Sequence, residues 1–245
     1  MASPAQRYQQ EMYENLGFFG TWLPGDLLEL GDVGVLQNGQ FRGRTTLKEL
    51  KIPYQVSGPG PVQNLQYTSK SGTSLSIDSS VTAPQPFSAS AAIKLEFNQE
   101  GAFLFHASKV RNRQLDNRLA LAAAILRSFK ANIWQQEWKL IESVHMAECA
   151  TVVVSEDDSA ALSFQANAKS ALGAIPLADP QVNINVSSSR GRMFQVIAGQ
   201  NLRPLYACIG VKASWLTDPV VEAVRGERQA ELPFVRPSIN ELINS

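Results

Sequence analysis

The sequence has few of the residues that most enzymes and metal sites use. Its 245 residues include only two histidines, and two cysteines, Cys149 and Cys208. A metal site would therefore have few ligands to draw on. The sequence also lacks a Walker loop, a dinucleotide-binding fingerprint, a G-x-S-x-G elbow and a C-x-x-C pair. We expect no metal, no cofactor and no enzymatic activity.

Charge is scarce and balanced. Charged residues make up 18% of the chain, with 22 basic and 22 acidic side chains and a formal net charge of zero. Proteins that bind duplex nucleic acid gain affinity from phosphate contacts and usually carry a strong basic excess. The composition therefore predicts no nucleic-acid partner.

Long apolar runs are also missing. The longest, residues 119 to 126, is far shorter than the ~18 residues of a membrane-spanning helix. The first ten residues are polar and show no hydrophobic region typical of a signal peptide. Both cysteines lie in apolar contexts, which favours buried thiols over a disulfide. We expect a cytoplasmic protein that is made soluble.

What the sequence does contain is apolar residues that alternate with polar ones. Ile93, Leu95 and Phe97 show this spacing, which is typical of antiparallel strands with one buried face. Asn38-Gly39 separates two strand-like runs and predicts a tight hairpin. A turn is expected at residues 199 to 203, between strands at 193–197 and 205–214.

Two helical segments frame the predicted fold. Residues 4 to 16 are expected to form a polar helix that ends at Gly17. Helical spacing of apolar residues predicts a second helix over 117–130, with Asp116 as its N-cap. Residues 133 to 140 carry Trp134 and Trp138 one helical turn apart, which suggests a helical pair. The predicted fold class is α+β, a mostly antiparallel twisted sheet with a helical pair and a short C-terminal tail.

The chain is predicted to be one body over residues 1–215, followed by a tail over 216–245. Pro233 and Pro237 interrupt the tail. Arg225 and Arg228 flank a charged stretch that would suit a protease-accessible linker.

Aromatic and basic residues close together near the start of the chain suggest a surface for membrane contact. Cations beside exposed aromatic rings suit the headgroup and interface regions of a bilayer. The alternative is that the aromatic residues are core and the cations merely solvated. The candidates are Phe18, Phe19, Trp22, Leu23, Arg42, Arg44, Lys48 and Lys51.

His145 and Cys149 are the one pair that could be imagined as a catalytic base and nucleophile. Four residues apart on a strand, they would share a face but lie too far apart for direct contact. We expect a buried thiol and a half-buried imidazole instead.

Spread along the chain is a resemblance to the pore-forming domain of gasdermins, above all the short microbial ones. It rests on the early hairpin over residues 30–45, the turn Leu47-Lys48-Glu49-Leu50 and the alternating strands up to Phe97. The helix over 117–129 and the closing stretch from Leu205 to Lys212 continue it. The similarity covers roughly residues 22 to 215.

The resemblance implies a mechanism. A C-terminal segment would hold the body inactive until a protease frees it. Two stretches, roughly residues 62–110 and 144–198, would then refold into amphipathic hairpins of a membrane β-barrel built from many copies. The partners implied are membrane lipids, an activating protease and further copies of the chain, and the outcome is cell death. The competing hypothesis is a non-enzymatic module that binds a protein or glycan through the aromatic segment.

Overall fold

The computed structural model describes residues 3–22, 27–78, 90–167, 177–178, 184–211 and 234–235. The chain divides into two compact units. The first comprises Met1–Leu27, Gly60–Arg111 and His145–Leu205, and the second comprises Leu28–Pro59, Asn112–Val144 and Tyr206–Ser245. The predicted fold class is confirmed, since two helices accompany strands that pair mostly antiparallel.

The helices are α1 (Pro4–Leu16) and α2 (Arg118–Lys130). The strands are β1 (Phe19–Gly20), β2 (Asp32–Gln37), β3 (Gln40–Thr46), β4 (Gln63–Thr68), β5 (Thr73–Asp78), β6 (Ser90–Phe97), β7 (Phe103–Gln114), β8 (Lys139–Ser155), β9 (Ala160–Asn167), β10 (Ile184–Arg190), β11 (Met193–Val211) and β12 (Phe234–Val235).

Helix α1 of the first unit is bounded by strong end signals and confirms the predicted span. Ser3 and Gln6 form a capping box, in which the Ser3 amide donates to Gln6 Oε1 at 2.7 Å and the Gln6 amide to Ser3 Oγ at 3.3 Å. This satisfies amide groups that the helix itself leaves without acceptors. Gly17 ends the helix with a positive φ of 72°, a conformation that costs glycine little.

Two clusters form the core of the first unit. One packs α1, through Tyr8 and Met12, against Phe103 and Phe105 of β7 and alternate residues of β8. The other lies against a four-stranded antiparallel sheet of order β10-β9-β6-β5. Strands β7 and β8 are buried on both faces here, so successive side chains enter different clusters, Phe103 and Phe105 one and Leu104 the other.

The remaining strands form an eight-stranded sheet. Its path is β1-β11-β8-β2-β3, with β4 paired to β7, β7 paired to β8, and β12 paired to β11. The β12 pairing is antiparallel and joins Val235 to Gly210 and Phe234 to Val211.

The second unit contains the predicted hairpin and α2. Strands β2 and β3 pair antiparallel around Asn38 and Gly39, whose φ angles of 50° and 72° are those that a tight two-residue turn demands. Helix α2 begins after Asn117, so the N-cap lies one residue later than the predicted Asp116. Its buried face packs on a cluster that includes Val33, Leu47 and Trp134.

Two local predictions were wrong. Residues 131 to 138 form turns and β8 begins at Lys139, so no helix follows α2 there. Residues 199 to 203 lie inside the 19-residue strand β11 and do not form a turn. Asn201 takes a φ of 54° within that strand, and a single left-handed residue lets a strand continue through a local irregularity.

Candidate functional site

The four-stranded sheet of the first unit is drawn from both stretches that the resemblance marks for membrane insertion. Strands β5 and β6 belong to the range 62–110, and β9 and β10 to the range 144–198. Strand β6 pairs with β9 over eight consecutive positions, from Ser90 with Asn167 to Phe97 with Ala160. The two antiparallel pairs therefore form one continuous sheet.

One face of this sheet is apolar, and its central residues are buried. Residues opposite each other in an antiparallel pair share a face, and Ile93 lies opposite Phe164 and Leu95 opposite Leu162. All four side chains are buried. In the first unit this face is covered by Leu104, Val153 and Leu177.

The other face is polar and open to water. Lys94 and Glu96 form an ion pair of 2.7 Å between exposed side chains, and exposed pairs of this kind contribute little to stability. Ser187 Oγ donates to the Ser163 carbonyl oxygen at 3.0 Å. The sheet therefore has one surface suited to an apolar neighbour and one suited to water.

The segment between β9 and β10 is anchored to the core of the first unit where the structure describes it, at Leu177 and Ala178. The Thr151 hydroxyl donates to the Leu177 carbonyl oxygen, and the Ser108 hydroxyl to that of Ala178. Leu177 is also fully buried. The anchor combines two hydrogen bonds with apolar burial.

The aromatic membrane-contact candidates lie in the first unit. Phe19 is buried, stacked on Tyr13 with ring centroids 4.7 Å apart. Phe18 and Trp22 are partly buried, and Trp22 stacks on Phe194 at 5.3 Å. Contact between Phe19 and lipid would need the segment to leave this core. The prediction of membrane contact is untested, and Leu23 lies outside the described residues.

The basic candidates lie in the second unit and are exposed. Arg42 and Arg44 project from β3, and Lys48 and Lys51 from the turn that follows it. Arg42 donates to Gln40 Oε1 at 2.5 Å. The four cations lie within one short stretch of chain, and their exposed side chains leave the charge in contact with solvent. Their role in membrane contact stays a prediction.

The predicted tail is described only at β12. Arg225 and Arg228, the cleavage candidates, lie outside the described residues. Strand β12 pairs with the last two residues of β11. A restraining role for the tail stays a prediction.

His145 and Cys149 share the buried face of β8, whereas Met146 and Glu148 between them are exposed. Burial lowers the pKa of His145 to about 4, so the imidazole is neutral at pH 7, and the Phe18 ring lies 4.2 Å from it. Within the described ranges, no group of three or more histidine, cysteine, aspartate or glutamate residues could hold a metal ion.

Sequence reasoning missed the residues that cover the apolar face of the four-stranded sheet. Leu104 and Val153 had only a weak signal, because each lies in a run of consecutive apolar residues that does not show which face a side chain takes. Leu177 had none, since no alternating run surrounds it, and the backbone carbonyl groups that Ser108 and Thr151 bind leave no mark in the sequence.

No helix among the described residues is both long and apolar enough to cross a bilayer. Comparison with protein-family models gave no match, and neither did comparison with curated proteins. Among solved structures, the chain is similar to one in the cryo-EM structure of the Gasdermin A3 membrane pore. That similarity has 10% sequence identity and a TM-score of 0.34, and it covers 85% of this chain and 90% of the other. It is a weak resemblance at the level of the fold.

Proposed function

We propose that this protein is a membrane-permeabilising effector without enzymatic activity, stored in the cytoplasm with its insertion strands folded against a core. Proteolysis in the C-terminal tail releases it to the membrane. Copies then assemble into a β-barrel pore, and the loss of membrane integrity kills the cell.

The observation that carries this proposal is the two-faced sheet formed by β5, β6, β9 and β10. Its apolar face includes Ile93, Leu95, Leu162 and Phe164, all buried, and its opposite face carries charged and hydroxyl side chains. Strands of a transmembrane barrel alternate in the same way between lipid and water. A sheet with this pattern could exchange the protein core for lipid as the neighbour of its apolar face, and the same side chains would stay on each face.

Strands β6 and β9 have eight residues each, which is about 26 Å at ~3.3 Å per residue. Barrel strands are tilted by ~35–45° and need ~9–11 residues to cross a bilayer. Insertion therefore requires each strand to lengthen by about one to three residues.

The pairing of β12 with β11 gives the proposed restraint a physical basis. Strand β12 comes from the predicted tail, and β11 follows directly on β10 of the four-stranded sheet. Among the described residues, two residue pairs join the strands. A cut within the tail would then leave these backbone hydrogen bonds to hold β12, and each contributes little net stability.

Dye release from anionic liposomes tests the proposed function. We compare the full chain with the same chain cleaved after Arg225 or after Arg228. Release only by the cleaved forms is expected, because cleavage separates the tail from the body. Release by both forms would retain the pore and remove the restraint. Release by neither would contradict the proposal and favour the protein- or glycan-binding module.

A reversible crosslink tests whether the sheet must leave its core. The Ser108→Cys/Ala178→Cys variant, made with Cys149→Ala to remove the neighbouring thiol, is designed to tie the β9–β10 segment to β7. We expect the cleaved, oxidised variant to release no dye and to recover release on reduction. The Ser108→Cys variant with Cys149→Ala is the matched control and is expected to release dye in both conditions. Release by the crosslinked form would mean that this segment stays in place during permeabilisation.

A further inference from the structure

Helix α2 of the second unit has an exposed side that is unusually apolar. Leu119 is 70% exposed, and Ala120 and Ala123 are exposed as well. The helix contains no acidic residue, and its last turn carries Arg127 and Lys130. Its opposite side, with Leu121 and Ile125, is buried in the core of the second unit. The exposed side is therefore a second apolar surface, and Leu126 at its margin also packs on the core.

The spacing on the exposed side is that of a helix–helix seam. Leu119, Ala123, Leu126 and Lys130 follow one another at intervals of four, three and four residues. This repeat keeps side chains in line on one stripe of a helix. Leu126 is partly buried, whereas the other three are exposed. A small alanine beside a larger leucine is the alternation that lets two helices approach closely.

Charge is distributed unequally along the helix. Asp116 precedes it and is exposed, and Arg118 in its first turn is paired with the buried Glu142. The exposed cations Arg127 and Lys130 lie in the last turn. Two copies packed in parallel would bring Lys130 against Lys130. Two copies packed antiparallel would bring the acidic end of each helix to the basic end of the other, so the surface complements itself.

We propose that α2 is a self-association surface, on which a second copy of this chain packs its own α2 antiparallel about a two-fold axis. Ala123 of each copy then faces Leu126 of the other copy. The aliphatic stem of Lys130 covers Leu119 of the partner copy, and its ammonium group reaches Asp116 there, one helical turn further along. The exposed leucine is thereby covered, and the charged groups at the two ends of each helix are paired.

A single pair of 13-residue helices forms a small interface compared with the ~1,600 Å² of a standard one. We therefore expect a weak dimer, with a dissociation constant on the order of 10 to 100 µM. The surface uses residues of the second unit, whereas the four-stranded sheet of the proposed function belongs to the first, so either idea can fail alone.

Sedimentation velocity of the full chain without lipid, over concentrations on both sides of that range, is the test. We expect a reversible monomer–dimer equilibrium. Asp116→Lys and Lys130→Asp should each weaken association at least about tenfold, because each sets like charges opposite one another. The double exchange Asp116→Lys/Lys130→Asp should restore most of the affinity. Lys70→Asp, at an exposed lysine of the first unit, is the control and should leave association unchanged.

Leu119→Ser separates loss of association from loss of folding, because this side chain is largely exposed. The variant should abolish the dimer and leave the circular dichroism spectrum unaltered. A monomer at all concentrations would overturn the proposal, and so would a double exchange that fails to restore association. If the chain is monomeric and Lys130→Asp instead reduces binding to anionic vesicles, the surface contacts lipid and the proposal is wrong.

Discussion

His106 and His145 are the two histidines of the chain, and both are buried in strands of the first unit. Among the described residues, His106 Nε2 and His145 Nδ1 have no hydrogen-bond partner. Burial lowers the pKa of each to about 4, against about 6.5 in an unfolded chain. The folded protein therefore favours the neutral imidazole at both positions.

Stability should consequently fall as the pH drops. A depressed histidine pKa contributes stability that is fully present above about pH 6.5 and is lost progressively down to about pH 4, where the folded form also binds the proton. Between pH 7 and pH 5 we expect a loss of about 2 kcal/mol per histidine. Urea unfolding of the wild type, His106→Gln and His145→Gln at both pH values measures it. Equal losses in all three proteins would show that other groups cause the acid sensitivity.

Glu142 of the second unit has a buried carboxylate, and Arg118 at the start of α2 forms an ion pair with it at 2.9 Å. The glutamate side chain is only 3% exposed and the arginine 40%. Arg118→Ala would leave the charge buried with less compensation. Since water reaches the arginine side of the pair, we expect a cost of about 2 kcal/mol in the free energy of unfolding.

The control for that prediction is Lys94→Ala, which removes an exposed pair and should change the unfolding free energy by less than about 0.5 kcal/mol. Adding Glu142→Gln to Arg118→Ala should recover part of the loss. Similar costs for Arg118→Ala and Lys94→Ala would mean that burial of Glu142 does not matter.

At the scale of elements, the contact between α1 and β1 depends on Gly20. A Cβ atom placed there would lie 2.4 Å from Tyr8 Cε1, and the Tyr8 ring is fixed by an edge contact with Phe103 at 4.9 Å. Gln9 also donates its side-chain amide to the Gly20 carbonyl oxygen. The docking of the helix therefore requires a residue without a side chain at this position.

Gly20→Ala should destabilise the protein by about 2 to 3 kcal/mol, because an extra methyl group forces a buried ring to move. The matched change Gly43→Ala, where nothing lies within 4 Å, should have a small effect. Thermal unfolding of both variants measures the difference. Equal melting temperatures would mean that α1 can shift without cost.

Elements with a clear periodicity could be predicted, and irregular ones could not. Helix α1, the β2–β3 hairpin and strand β6 follow from capping residues, Asn-Gly and alternation. Strand β7 continues through Lys109, whose φ is 49° where the register with β4 shifts. A lysine gives no local signal for such an irregularity, because tertiary pairing imposes it.

At the scale of the whole molecule, the sequence predicted which strands are two-faced but not what covers them. Alternation in β6 and β9 identifies Leu95 and Leu162 as members of an apolar face. Their register against each other, and the burial of Leu177 beneath them, depend on contacts between distant parts of the chain. The surface candidates show the same limit, since the spacing near Phe19 is equally compatible with a core residue and an exposed one.

The burial of the apolar face of the four-stranded sheet has a consequence for heat capacity. Apolar groups raise the heat capacity of a protein solution when water gains access to them. Leu95 and Leu162 are out of water in this fold, and a bilayer would keep them out of water too. Passage of the sheet from its core into lipid would therefore leave a far smaller heat-capacity change than unfolding of the same strands into solvent.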